Sequence, residues 1–119
     1  MYKTVLVDID IEEGRKVLAE LEKDISPISA AFWYHFDEED DWKLMVVSPE
    51  VSDIGPRQLY QKVSEVLQRL QIEPQRLQYR IRLESPYSLL YKMVKQHAGP
   101  VGGPIREGPV LDAYIYKMS

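Results

Sequence analysis

Three short stretches of the chain carry side chains able to do chemistry. Asp8 and Asp10 follow the apolar run Thr4–Val7. Two carboxylates at the end of a strand could supply a nucleophile and an acid/base partner beside a metal. Asp41-Trp42-Lys43 sets a carboxylate two residues from an ammonium, a pair that metal-assisted phosphodiester cleavage would use. The run Asp37-Glu38-Glu39-Asp40-Asp41 offers hard oxygen ligands to Ca²⁺ or Mg²⁺.

Each stretch has a plainer reading. Asp10, with Glu13 three residues on, has the form of a capping box at a helix start, which leaves Asp8 at a strand end. Residues Val5–Asp10 resemble the strand-end Asp-x-Asp of haloacid-dehalogenase-type phosphatases. That resemblance implies one aspartate as nucleophile and the other as acid/base. It covers six residues, and Glu12 stands where the pattern has Thr or Val. Asp41-Trp42-Lys43 is similar, over three residues, to the carboxylate-x-Lys of metal-dependent nucleases. The acidic run lacks the spacing and central glycine of a calcium loop, and adjacent like charges push one another into solvent, so a turn is expected there. His35 falls in an apolar strand and His97 at a helix end, where the macrodipole favours a cation. No Ser/His/Asp spacing is present. No catalytic residue, metal or cofactor is assigned.

The residues suited to binding are Trp33, His35, Arg80, Arg82 and Arg106. Alternation puts Trp33 and His35 with Ala31 on one face of a strand, and Phe32, Tyr34 and Phe36 on the other. Both faces are apolar, and Trp33 and Trp42 exceed what a small sheet easily covers, so this strand is expected at an association face. Arg80 and Arg82, with Arg76 before them, align on the outer face of a strand in which Leu77, Tyr79, Ile81 and Leu83 alternate inward. RNA-binding sheets combine basic and aromatic side chains in this way, although Tyr79 points away from Arg80 and Arg82 and no RNP-type motif is present. Arg106 lies in Ala98–Pro109, where Gly and Pro make up 7 of 12 residues; this stretch is expected to be a flexible loop.

The elements that must position these residues read β-α-β-β-α-β-α-β. Lys3–Ile9 is the first strand. A helix from Asp10 follows, with Ile11, Val17, Leu18, Leu21 and Ile25 on one stripe, and Ser26-Pro27 ends it. Ile28–Phe36 and Trp42–Ser48 form a hairpin with an acidic tip. After a loop over Glu50–Gly55, Pro56 opens a helix bearing Leu59, Val63, Val66, Leu67 and Leu70. The strand Leu77–Leu83, a helix capped at Ser85-Pro86 and a closing strand Val110–Met118 complete the chain. The first six elements have the ferredoxin-like order βαββαβ. The expected fold is therefore α+β, a ferredoxin-like core with an added helix and strand, as one domain over residues 1–119.

At 119 residues and 45% apolar, the chain can bury roughly two thirds of its unfolded surface. Cysteine is absent, which excludes disulfides and thiolate metal sites. No apolar run reaches the ~18–20 residues of a membrane span and no signal peptide is visible, so a cytoplasmic protein without a membrane partner is expected. Charge is unevenly spread. Residues 1–54 hold 5 Lys/Arg against 14 Asp/Glu, and residues 55–119 hold 10 against 5, which gives −9 and +5 within the overall −4. Complementary halves suit steering between copies or partners. The reading is a non-enzymatic interaction module that self-associates or docks on another protein. A nucleic-acid-associated protein is the alternative, and a small-ligand or metal-dependent enzyme the third.

Overall fold

The computed structural model describes residues 5–97, 108–110 and 113–118. Its frame is a five-stranded sheet in the order β3-β2-β1-β5-β4. The strands are β1 (Ala30–Phe36), β2 (Asp41–Val47), β3 (Ile81–Glu84), β4 (Gly108–Val110) and β5 (Ala113–Met118). β1 runs antiparallel to β2 and β5, and β4 antiparallel to β5, while β2 and β3 are parallel. A parallel neighbour requires a crossover. The chain makes it through α2 (Glu50–Asp53), α3 (Pro56–Arg69), α4 (Pro74–Leu77) and a 3₁₀ turn (Gln78–Arg80).

Helices cover both sheet faces. α1 (Asp8–Asp24) packs with α3 on one face, burying Val17, Leu21, Leu59 and Val63 against Trp33, Leu44 and Val46. α5 (Leu89–His97) lies on the other, where Tyr91 and Val94 meet Phe32, Met45 and Ile115. The alternation expected in β1 therefore holds, and it feeds two cores. Among the described residues no helix is long and apolar enough to cross a membrane.

The α+β class stands, but the described strands do not form the ferredoxin-like order. The strand expected over Lys3–Ile9 is the main difference. Val5–Val7 carry no strand, Asp8 and Ile9 already belong to α1, and residues 1–4 lie outside the described set. Two aspartates in a first turn suit the positive end of the helix dipole. The capping box is also corrected: the N-cap is Val7, with no side-chain cap, and Asp10 faces inward. The strand expected over Leu77–Leu83 shortens to β3, because Pro74 at N1 starts a helical turn that runs on into the 3₁₀ turn. The Glu50–Gly55 loop contains the single turn α2. Ser88 replaces Ser85 at the start of α5, its Oγ accepting from the Tyr91 N–H at 3.4 Å. The closing strand is a pair, β4 and β5. Of the expected loop 98–109, residues 98–107 lie outside the described set, and Gly108 and Pro109 belong to β4.

Two local irregularities shape the sheet. The β1–β5 register shifts between Ala31 and Phe32, which face Lys117 and Ile115, so Tyr116 is the extra residue of a bulge. A bulge re-aims its side chain. At the β3 edge, the Leu83 N–H donates to the Tyr60 hydroxyl at 3.1 Å, which covers one donor that an added strand would otherwise use.

Candidate functional site

The two charged halves of the chain meet inside the molecule. The first turns of α1 carry Asp10 and Glu13, and α4 with its 3₁₀ turn sets Arg76 and Arg80 opposite them. Arg80 Nη1 lies 3.1 Å from Asp10 Oδ2, and Arg80 Nε donates to the Trp42 carbonyl at 3.1 Å. The same guanidinium stands 4.9 Å from the Trp33 ring centre, a cation–π contact against a fully buried indole. Arg76 Nη2 is 2.6 Å from Glu13 Oε1 and 3.8 Å from Asp10 Oδ1. The Glu13 contact is Coulombic, since no N–H is aligned on that buried oxygen. Further out, Arg69 bridges Asp24 at 2.7 Å and Glu20 at 3.6 Å, and Lys117 reaches Glu22 at 3.4 Å. These outer pairs are solvated and contribute little. Much of the charge complementarity legible in the sequence is thus satisfied within one copy.

A neutral relay adjoins this cluster. Trp33 Nε1 donates to Tyr116 Oη at 2.7 Å, and Tyr116 Oη donates to the Ile11 carbonyl at 2.6 Å. It ties the last strand to the first helix. Gly14 permits the approach: a Cβ there would overlap the Tyr116 hydroxyl and sit 3.0 Å from Trp33 Nε1.

The acidic hairpin end is folded back onto His35 and Lys43. His35 is buried, with Nδ1 3.0 Å from Asp37 Oδ1 and Nε2 2.8 Å from Asp40 Oδ1. Carboxylates only accept, so both contacts are hydrogen bonds when both ring nitrogens carry hydrogen. Lys43 Nζ lies 3.2 Å from Glu39 and 3.8 Å from Asp41. Among the described residues no group of three or more His, Cys, Asp or Glu is placed to hold a metal ion.

The residues proposed for binding do not come together. Trp33 and His35 are interior, because α1 covers Trp33 and the tip carboxylates engage His35. Trp33 therefore offers no open association face. Arg80 and Arg82 do not share a face. Arg80 belongs to the 3₁₀ turn and reaches Trp33 on the α1 side, whereas Arg82 is exposed in β3 and lies 5.6 Å over the Phe36 ring, in the α5-side core. Arg106 lies outside the described residues. Asp8 is exposed and Asp10 buried, as positions two apart on a helix diverge, so they do not form a paired carboxylate site.

The surface that sequence reasoning passed over is the outer side of α5. Leu89 is 83% exposed, Tyr87 in the turn before it 79%, and Met93 41%. On the same side of the sheet, Tyr34 and Phe36 pack edge-to-face at 5.1 Å and are only partly buried. A cavity of about 260 Å³ opens there, lined by Tyr34, His35, Phe36, Asp37, Glu38 and Glu39. Lys92 and Lys95 lie 5.9 and 5.7 Å over the Tyr87 and Tyr91 rings. The available signal was the composition of α5, which is apolar on more of its circumference than one core can use. Comparison of the chain with protein-family models, with curated proteins and with solved structures finds no match.

Proposed function

We propose that this protein is an interaction module whose docking face is the outer side of α5, together with the partly buried rings of Tyr34 and Phe36 on the same side of the sheet. The observation that carries this reading is Leu89. It opens a helix whose Tyr91 and Val94 are buried, yet it stands 83% exposed beside exposed Tyr87 and Met93. Single exposed apolar residues are ordinary, but contiguous ones rimmed by charge are a mark of docking surfaces. The basic strand face invoked for nucleic acid has less support, since Arg76 and Arg80 pair with Glu13 and Asp10 and Arg82 lies across the sheet.

The test is Leu89→Ser with Met93→Ser. Exposed positions change stability by about 0.5 kcal/mol or less, whereas truncations in a packed core cost about 2–5 kcal/mol. The expected outcome is loss of association, with an unchanged urea midpoint at concentrations where the parent is itself dissociated. A core-sized drop in stability would show that these side chains are structural and would end the reading.

A further inference from the structure

We infer that the partner at this face is a second copy of the chain, docked about a two-fold axis so that the lysine edge of α5 in each copy meets the acidic hairpin end of the other. The inference rests on the docking face proposed above and names its occupant.

The charge that remains unmatched points to it. Arg69, Arg76, Arg80 and Lys117 of the basic half are each paired with a carboxylate of the acidic half. Lys92 and Lys95, like Arg57, Lys62 and Arg82, are without such a pair among the described residues, and they are the two that lie on α5. Among the described residues they make ring contacts and no ion pair, and α5 contains no Asp or Glu of its own. In the turn between β1 and β2, Glu38 is exposed and makes no ion pair among the described residues.

The hairpin end suits an ammonium group. Two aromatic walls, Tyr34 and Phe36, stand at 73° to each other beside the carboxylates of the 260 Å³ cavity. Ring faces and carboxylates both attract a cation, and Phe36 already carries one in Arg82. Both ends lie on one sheet face, because Tyr34 and Phe36 pack on the cluster that holds Tyr91 and Val94. A two-fold operation then satisfies each lysine edge and each acidic end at once, as an isologous interface requires. Exposed Leu89 and Met93 share α5 with the two lysines, so the proposed interface would combine apolar side chains with a charged edge.

The test is sedimentation velocity on the full chain over about a hundredfold concentration range, since mass action makes a dimer concentration-dependent. Three samples are compared with the parent: Lys92→Glu with Lys95→Glu, Glu38→Lys, and an equimolar mixture of the two variants. The parent is expected to dimerise, each charge reversal to weaken the dimer at least about tenfold, and the mixture to recover a heterodimer because the exchanged charges match again. Peroxide oxidation of Met93, with buried Met45 as internal reference, is followed in the same samples. A parent that stays monomeric with Met93 reactive overturns the second copy and leaves the face open to another protein. A monomer whose Met93 reacts as slowly as Met45 overturns both readings. So does a dimer indifferent to the charge reversals and to Leu89→Ser, since it would use another surface.

Discussion

Replacing Tyr116 by Phe removes one oxygen and tests how the first helix is fastened to the last strand. That hydroxyl accepts from Trp33 Nε1 at 2.7 Å and donates to the Ile11 carbonyl at 2.6 Å. Trp33 is fully buried, so its N–H loses its partner with no water to replace it. An unsatisfied buried donor costs about 1–3 kcal/mol, and the lost bond to Ile11 adds about 1 kcal/mol. The variant should lose about 2–4 kcal/mol, which in a domain of this size lowers the melting temperature by roughly 8–15 °C. Gly14→Ala supplies the second arm of a cycle. Alanine is favoured over glycine in a helix by about 1 kcal/mol, but overpacking costs about 1–3 kcal/mol. The added methyl would overlap the Tyr116 hydroxyl, while the next atoms, Trp33 Nε1 and Tyr116 Cζ, lie at 3.0 and 3.2 Å. With the hydroxyl gone, Gly14→Ala should turn close to neutral, a coupling of about 1–2 kcal/mol. Urea unfolding followed by tryptophan fluorescence and by circular dichroism measures all four corners. A Tyr116→Phe cost under about 0.5 kcal/mol, or a cycle additive within about 0.3 kcal/mol, would refute the relay and the close approach together.

Arg80→Met leaves the Asp10 carboxylate facing the interior with only the more distant Arg76, and should cost about 2–3 kcal/mol; adding Asp10→Asn should recover part of that loss, and equilibrium unfolding reads both. Arg69→Ala removes solvated ion pairs to Asp24 and Glu20 and should cost less than about 1 kcal/mol in the same assay. His35→Leu removes the ring contacts to Asp37 and Asp40, so amide hydrogen exchange should accelerate over residues 37–41 while Ala31 and Val46, paired in the middle of the sheet, keep their protection. Equal acceleration at Val46 would mean that His35 supports the sheet rather than its tip.

What the sequence determined about this protein is what short-range physics controls. The stripe Val17, Leu18, Leu21 and the stripe Leu59, Val63, Val66, Leu67 specify α1 and α3, because apolar residues at helical spacing leave one face to bury. Pro56 marks the start of α3 to the residue. The aromatic alternation of β1 and the acidic turn after it specify the hairpin, since a period of two sorts side chains to opposite faces whatever lies on either side. Tertiary structure decided the rest, and in each case a distant partner outweighed a local preference. Asp10 and Glu13 have the pattern of a cap, yet Asp10 turns to Arg80, seventy positions along the chain, because a buried carboxylate gains more from a guanidinium than from a backbone N–H. Arg80 and Arg82 alternate like strand neighbours, and a 3₁₀ turn separated them onto opposite faces. Trp33 looked like excess surface until α1, carrying glycine at position 14, lay down on it. The exposure of Leu89 was equally hidden, because which side of an apolar helix meets a core depends on where the sheet stands and not on the helix itself.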